Sequence, residues 1–423
     1  GSEMCIRDSF GGVLILTALI AGLGGILLHE FLDLIEYLVF GHGETSTTQA
    51  VSTKQFILIV LAGIISAILW YFLQRKNRQI ISVKSQMQAE NPASKMPKLW
   101  IHLTNIFLQV ASVGAGSPIG KEGAPRELGA LGAGRVSDYL KLTLQDRKLA
   151  IACGASAGLA AVYQVPVASI FFAFETLGLG ISVLNLISVS VTTILASIVA
   201  GVVISDAPLY ETAQVTLDVK TTLLAMFLVV LISPIAQLFR RLTQKAQAQK
   251  TTDHTILWRL PLTFLLLASL SLIFPEILGN GAALAQGVFD GMTVQYAAVI
   301  VVVKAFVVLL TLKNGAYGGT LTPSFSMGAV LGFLGAVLCS QIFPTISLAS
   351  AMLIGSSVFL AITMNAPLTA VGLVVSFTGQ KLQALPVLLI AVALAIVIKK
   401  LIEYIERKIY VNPYRSQTRR NRR

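Results

Sequence analysis

Charge is what this sequence has least of. Asp, Glu, Lys and Arg make up 12% of its 423 residues, about half the share that soluble domains carry. Hydrophobic residues make up 55%, and the mean hydropathy is +0.78. A folded soluble chain of this length leaves many side chains in water, and these residues are too apolar for that. A cytosolic enzyme, a disordered scaffold and a nucleic-acid-binding domain are excluded, and the bilayer is the solvent. Cysteine is scarce as well: Cys5, Cys153 and Cys339 are the whole set, the last two inside apolar stretches. They read as small hydrophobes, so no disulfide framework, metal site or cofactor is expected. Basic residues exceed acidic ones by 32 to 20, for a net charge of +12. In a soluble protein that excess would suggest nucleic acid. Here it sits mainly in three runs, Arg75-Lys76-Asn77-Arg78, Arg240 to Lys250 and Arg415 to Arg423. Short basic loops and tails of membrane proteins lie on the cytoplasmic side. A multi-pass protein of the cell (plasma or inner) membrane is expected, with both termini cytoplasmic and the lipid bilayer as its partner.

A transmembrane helix needs about 20 apolar residues. Candidates are Phe10–Leu28, Phe56–Leu73, Ile181–Ile204, Thr221–Leu238, Leu257–Phe274, Tyr296–Leu312 and Leu385–Ile402. Between them lie shorter apolar runs punctuated by Gly and Pro: Ile101–Ser112, Leu149–Val162, Pro166–Phe174, Met327–Leu338, Ala351–Ile362 and Pro367–Val375. Many broken helices in one bundle point to a transporter or channel whose half-helix ends meet inside the membrane. Residues 1–9 are polar, begin like a cloning scar and lack signal-peptide architecture, so they stand apart from the fold as a non-native or disordered N-terminus.

An internal repeat organises the rest. Gly154-Ala-Ser-Ala-Gly-Leu-Ala160 precedes Pro166 by the same interval that separates Gly355-Ser-Ser-Val-Phe-Leu-Ala361 from Pro367. Upstream, Gly120-Lys-Glu-Gly-Ala-Pro125 matches Gly318-Gly-Thr-Leu-Thr-Pro323 in its Gly-to-Pro spacing, and the two offsets are 198 and 201 residues. Two related halves follow, about 10–205 and 221–410, within one membrane domain (10–410) that ends in a basic cytoplasmic tail (411–423). Sites of repeat-built transporters lie where the halves meet.

Two motifs carry chemistry. Gly154-Ala-Ser156-Ala-Gly158 fits the G-x-S-x-G nucleophile elbow. That reading needs a preceding strand and a histidine partner, and nothing places one near Ser156. Small residues for close helix packing explain the run better, so an intramembrane serine hydrolase is the least favoured reading and no enzyme is expected. The run from Gly114 to Pro125 differs. Glu122 is a carboxylate flanked by glycines at the start of a helix, where free N–H groups and the helix dipole favour anions. Ionisable groups at membrane depth are costly and usually functional. A glutamate there acts as a tethered anion that a mobile anion displaces. The matching segment at Gly318 offers a second, uncharged helix start.

Gly120-Lys-Glu-Gly-Ala-Pro125 resembles the G-R/K-E-G-x-P motif of the CLC chloride channels and chloride/proton antiporters, and Gly318-Gly-Thr-Leu-Thr-Pro323 is similar to that family's G-x-F-x-P segment. The resemblance implies an all-α integral membrane protein, a CLC-like inverted-repeat bundle of broken, tilted helices, assembled as a homodimer with one anion pathway per subunit. It implies transport of chloride or a similar small anion, with protons as co-substrate if the chain is an antiporter. Glu122 is then the gating and proton-transferring glutamate. Backbone amides near Lys121, Gly123, Thr320, Leu321 and Thr322 line the anion sites. Glu403-Tyr404-Ile405 resembles the segment whose tyrosine touches the anion, which makes Tyr404 a candidate; its alternative is an interfacial aromatic beside Lys399 and Lys400.

Three departures from the family pattern bear on function. The G-S-G-I-P motif is absent, and Ile80-Ile-Ser-Val-Lys84 stands in its place, so Ser82 takes the position of the anion-contacting serine. Leu321 replaces the phenylalanine of G-x-F-x-P. At the internal proton position of the antiporters stands Thr176, with Glu175 next to it. Antiport through Glu122 is the expected activity; a passive, gated chloride channel is the alternative.

Overall fold

The computed structural model describes residues 2–41, 50–75, 80–88, 98–341 and 347–420, with side chains from Phe10 to Lys408. Lys76, Asn77 and Arg78 of the first basic run lie outside the described residues, as do residues 421–423. The side chains of the 411–423 tail likewise lie outside the description.

The regular elements of the described chain are helices: α1 (Ser2–Phe40), α2 (Thr53–Gln74), α3 (Val83–Met87), α4 (Leu99–Gly114), α5 (Gly123–Tyr139), α6 (Leu144–Tyr163), α7 (Pro166–Glu175), α8 (Val183–Ala200), α9 (Val219–Ala248), α10 (Ile256–Ser271), α11 (Ala282–Asp290), α12 (Val294–Lys313), α13 (Leu321–Ser340), α14 (Leu348–Met364), α15 (Pro367–Phe377) and α16 (Leu385–Arg420). Seven segments are long and apolar enough to cross a membrane. Their lipid-length faces expose large side chains such as Leu23, Ile65, Ile198, Val230 and Val302, while one hydrophobic cluster joins α2, α9, α10 and α12–α16 in the interior.

Several boundaries differ from the sequence expectation, each for a local reason. α1 is continuous from Ser2 because no glycine or proline interrupts it before Phe10, and it runs past Leu28 to Phe40. α10 ends at Ser271, short of a full span, because Pro275 forces Phe274 out of the helical region (φ −125°, ψ 71°). The run Met327–Leu338 is the body of a 20-residue helix, α13, of which 78% of the apolar window is buried. Its first turn is rich in hydroxyls, but Pro323 is tolerated there and Ser326 Oγ donates to the Pro323 carbonyl at 2.9 Å.

The repeat is visible in the backbone. α6 ends at Gln164 and α14 at Asn365, both left-handed (φ 53° and 54°), and each is followed by a proline-started helix, α7 or α15. Each half also contains one very close helix crossing. A Cβ on Gly154 would lie 2.2 Å from the Gly129 carbonyl oxygen, and one on Gly355 2.2 Å from that of Gly328. No side chain fits, so glycine is what lets α5 lie on α6 and α13 on α14. These paired hairpins bring the N-termini of α5 and α13 face to face.

Candidate anion site

The two motif loops meet as a short antiparallel bridge. Gly120 N–H donates to the Gly319 carbonyl at 2.7 Å, and Gly319 N–H returns the bond to Gly120 at 2.9 Å. Glu122, the N-cap of α5, is fully buried behind this bridge. Its Oε1 accepts from the backbone N–H of Leu321, the first residue of α13, at 2.8 Å, while its Oε2 is buried with no hydrogen-bond partner. The carboxylate therefore sits at the positive ends of two helices yet is only half satisfied. That combination favours an anion without locking it in place. Glycine is required on both sides of it: a Cβ on Gly319 would lie 1.8 Å from Oε1, and one on Gly120 2.0 Å from Oε2.

Two cavities approach the carboxylate from opposite sides. One, of about 340 Å³, lies on the side of the basic runs and is lined by Ser82, Gly123, Glu127, Thr176, Lys250 and Gly318 among others. The other, of about 320 Å³, lies on the far side, toward the 205–210 loop, and is lined by His29, Asp33, Lys121, Tyr163, Tyr210 and Thr322 among others. Glu122 lines neither. It separates them.

The structure brings most of the expected site residues to these cavities. Gly123 reaches the basic-side cavity; Lys121 and Thr322 reach the far side, with the Lys121 ammonium 5.8 Å from the Tyr163 ring centre. Thr322 Oγ1 is buried without a partner. Thr320 is the N-cap of α13, and Leu321 contributes its amide, so the family's phenylalanine is not needed for that bond. Ser82 caps α3 and is exposed to the basic-side cavity, with its hydroxyl hydrogen-bonded to Ser85 Oγ at 2.9 Å. His102 Nε2 accepts from the Ile81 N–H at 3.2 Å, and this fixes the segment that presents Ser82 in the absence of the family's glycines. Thr176 lines the same cavity, its Oγ1 buried and unpartnered.

Tyr404 is a correction. It is 55% exposed, lies beneath the Lys408 ammonium and lines neither cavity. The inward face of α16 belongs instead to Lys399, which hydrogen-bonds Asn365, and to Glu403, which accepts from Gln237 at 3.2 Å; Tyr404, one residue on, turns about 100° away from that face. Among the described side chains, the tyrosines that line the cavities are Tyr317 on the basic side and Tyr163 and Tyr210 on the far side. Tyr317 stands beside the Gly318-Gly319 pair in the sequence, the one local signal for its place.

Glu175 has a structural assignment. It accepts from the N–H groups of Leu368 and Thr369 at 3.0 and 2.8 Å and from the Thr369 hydroxyl at 2.7 Å, capping α15 from α7. Glu175→Ala is expected to cost about 1–2 kcal/mol and to lower the midpoint of thermal unfolding in detergent; an unchanged midpoint would show the cap to be dispensable. Ser156, centre of the G-x-S-x-G run, is buried in mid-helix α6 with its hydroxyl unpartnered, and it lies within a helix rather than at a strand-to-helix turn.

An all-helical bundle with inverted halves and a buried carboxylate between two opposed cavities defines a membrane transport protein. A family model described as voltage gated chloride channel matches residues 62–400, and the chain belongs to that family. The chain is 29% identical over 381 residues to the voltage-gated ClC-type chloride channel ClcB of Escherichia coli O17:K52:H18 (strain UMN026 / ExPEC), covering 87% of this chain and 90% of the relative. ClcB of Shigella flexneri is likewise 29% identical over the same shares. In fold it is similar to a slow cyanobacterial Cl−/H+ antiporter (TM-score 0.78, 18% identity, 93% of this chain and 95% of the other). It is also similar to a CLC-type fluoride/proton antiporter (TM-score 0.76, 20% identity, 93% and 96%). The protein is a multi-pass membrane protein of CLC architecture.

Proposed function

We propose that this protein exchanges chloride, or a similar small anion, for protons across the membrane, with Glu122 as both gate and proton carrier. The observation that carries the reading is the carboxylate itself: buried between two cavities, with one oxygen on the Leu321 amide and the other unpartnered. An anion arriving from either cavity competes for the same amide. Once protonated, the carboxyl loses most of its attraction to the helix ends and yields its place. Backbone amides near Lys121, Gly123, Thr320 and Thr322 complete the anion pathway, Ser82 lies at its basic-side mouth, and no cofactor or metal takes part. The protein catalyses no covalent reaction.

The basic-side cavity faces the cytoplasm under the positive-inside rule, and both termini lie there, in the cell (plasma or inner) membrane. The CLC family resemblance implies a homodimer, and because Glu122, Leu321 and both cavities belong to one chain, each subunit would hold a separate pathway. Thr176, where the family's antiporters carry a glutamate, favours a second reading, a gated channel without proton coupling. In proteoliposomes, an imposed chloride gradient is expected to drive protons uphill. Chloride movement with no proton movement would leave the channel reading.

A further inference from the structure

Exchange requires a proton to leave Glu122 toward the basic side, and Glu122 does not reach that cavity. Gly123, the residue next to Glu122, lines the cavity together with Gly318, and exchange needs a group there that accepts the proton. Thr176 lines it, but a hydroxyl does not ionise near neutral pH. Among the described residues, one carboxylate lines it: Glu127. We infer that Glu127 is the carboxylate that relays protons between Glu122 and the basic-side solution, an inference that rests on the exchange reading above.

The geometry is specific. Glu127 lies five residues beyond Glu122 on α5, about 7.5 Å along the axis. Its Oε2 accepts from Asn105 Nδ2 at 2.9 Å and from Gln109 Nε2 at 3.2 Å, both on α4, so Oε1 receives neither amide. Asn105 is oriented in turn, because its Oδ1 accepts from Trp70 Nε1 at 2.9 Å. Gln109 spans the gap. Its Oε1 lies against Gly123, where a Cβ would be only 2.5 Å away, while its Nε2 reaches Glu127. The bare Cα of Gly123, next to Glu122, therefore lets one amide bridge the gate and the second carboxylate.

The groups around Glu127 suit a relay. Arg126 precedes it on α5, with Nε donating to the Glu122 carbonyl at 2.7 Å and the guanidinium 5.3 Å from the Phe172 ring centre. Lys250, from the segment after α9, donates to the Ala316 carbonyl at 2.8 Å and lies 3.7 Å from the Tyr317 ring centre. Tyr317 precedes α13, Lys84 lines the cavity from α3, and His102 is one turn before Asn105 on α4. Arg126 and Lys250 place positive charge near the carboxylate while their own hydrogen bonds go to the Glu122 and Ala316 carbonyls. In the transfer, the O–H bond of protonated Glu122 breaks, the proton crosses the gap beside Gly123 by way of a water molecule to form an O–H bond on the Glu127 carboxylate, and Glu127 releases it to cavity water on the basic side. Only O–H bonds are exchanged.

The test compares wild type, Glu122→Gln, Glu127→Gln and Glu127→Asp in proteoliposomes, recording chloride efflux with an electrode and proton uptake with a pH dye. Glu127→Gln is expected still to move chloride, with protons carried per chloride falling about tenfold or more. Glu127→Asp keeps a carboxyl and is expected to retain proton movement with a shifted dependence on basic-side pH. This readout does not depend on whether the glutamine variant assembles, and a purely structural Glu127 would not move it. A wild-type coupling ratio in Glu127→Gln, or an unshifted pH profile in Glu127→Asp, overturns the inference. If Glu122→Gln is uncoupled while Glu127→Gln remains coupled, the exchange reading stands and only the relay falls. A wild type that moves no protons removes both.

Discussion

Glu122→Gln is expected to keep passing chloride while losing proton movement by roughly a hundredfold, the scale of a missing proton-transferring group. The substitution removes the charge with little change in volume. Glutamine still has a carbonyl to meet the Leu321 N–H, but no net charge to hold it at the two helix ends. It therefore mimics the protonated carboxyl, which an anion displaces. Proton uptake driven by a chloride gradient, measured beside chloride efflux, checks both halves. If the protein is a gated channel, the same variant loses the pH dependence of its conductance and stays open. Unchanged coupling and unchanged pH dependence would reduce Glu122 to a helix cap.

Gly319→Ala is expected to act in the opposite direction, cutting chloride flux about tenfold or more, the effect of about 1.4 kcal/mol on the barrier. Its methyl carbon would lie 1.8 Å from Glu122 Oε1, inside the space that the carboxylate and a displacing anion share. The double variant Gly319→Ala with Glu122→Gln separates two explanations. If the two occupants share one place, removing the charge of Glu122 does not restore flux, because the methyl group still fills that place. Recovery of flux to the level of Glu122→Gln alone would mean that the methyl group only displaces the carboxylate, and that the anion passes elsewhere. Efflux rates of the three variants decide this.

How much of this was legible in the sequence depended on whether a feature was local. Glu122 and its glycines were readable because their chemistry lies within six consecutive residues, and the low overall charge made a membrane-depth carboxylate conspicuous. The repeat was readable because both copies keep the same spacing, Gly154 to Pro166 and Gly355 to Pro367, and the structure gives its cause in the left-handed helix ends at Gln164 and Asn365. Tyr404 was not, because which face of α16 turns inward is set by partners on other elements, Asn365 and Gln237, that sequence spacing does not reveal. Glu127 lay in plain view two residues after Pro125, an ionisable side chain at membrane depth. The role inferred for it depends on Asn105 and Gln109, which α4 brings to it from about twenty residues away. The full length of α13 is not legible in its composition because its first turn is polar, yet Thr322, Ser324 and Ser326 are all buried.

The central claim is that Glu122 and a mobile anion compete for one place at the meeting of α5 and α13. Crystals of Glu122→Gln grown in bromide test it most directly, because bromide scatters anomalously and marks its own position. The account predicts a bromide peak where the carboxylate lies in the wild type, within hydrogen-bonding distance of the Leu321 N–H, and no such peak in wild-type crystals in which the carboxylate is in place. A Glu122→Gln structure with bromide elsewhere along the pathway but none at the Leu321 amide would contradict it.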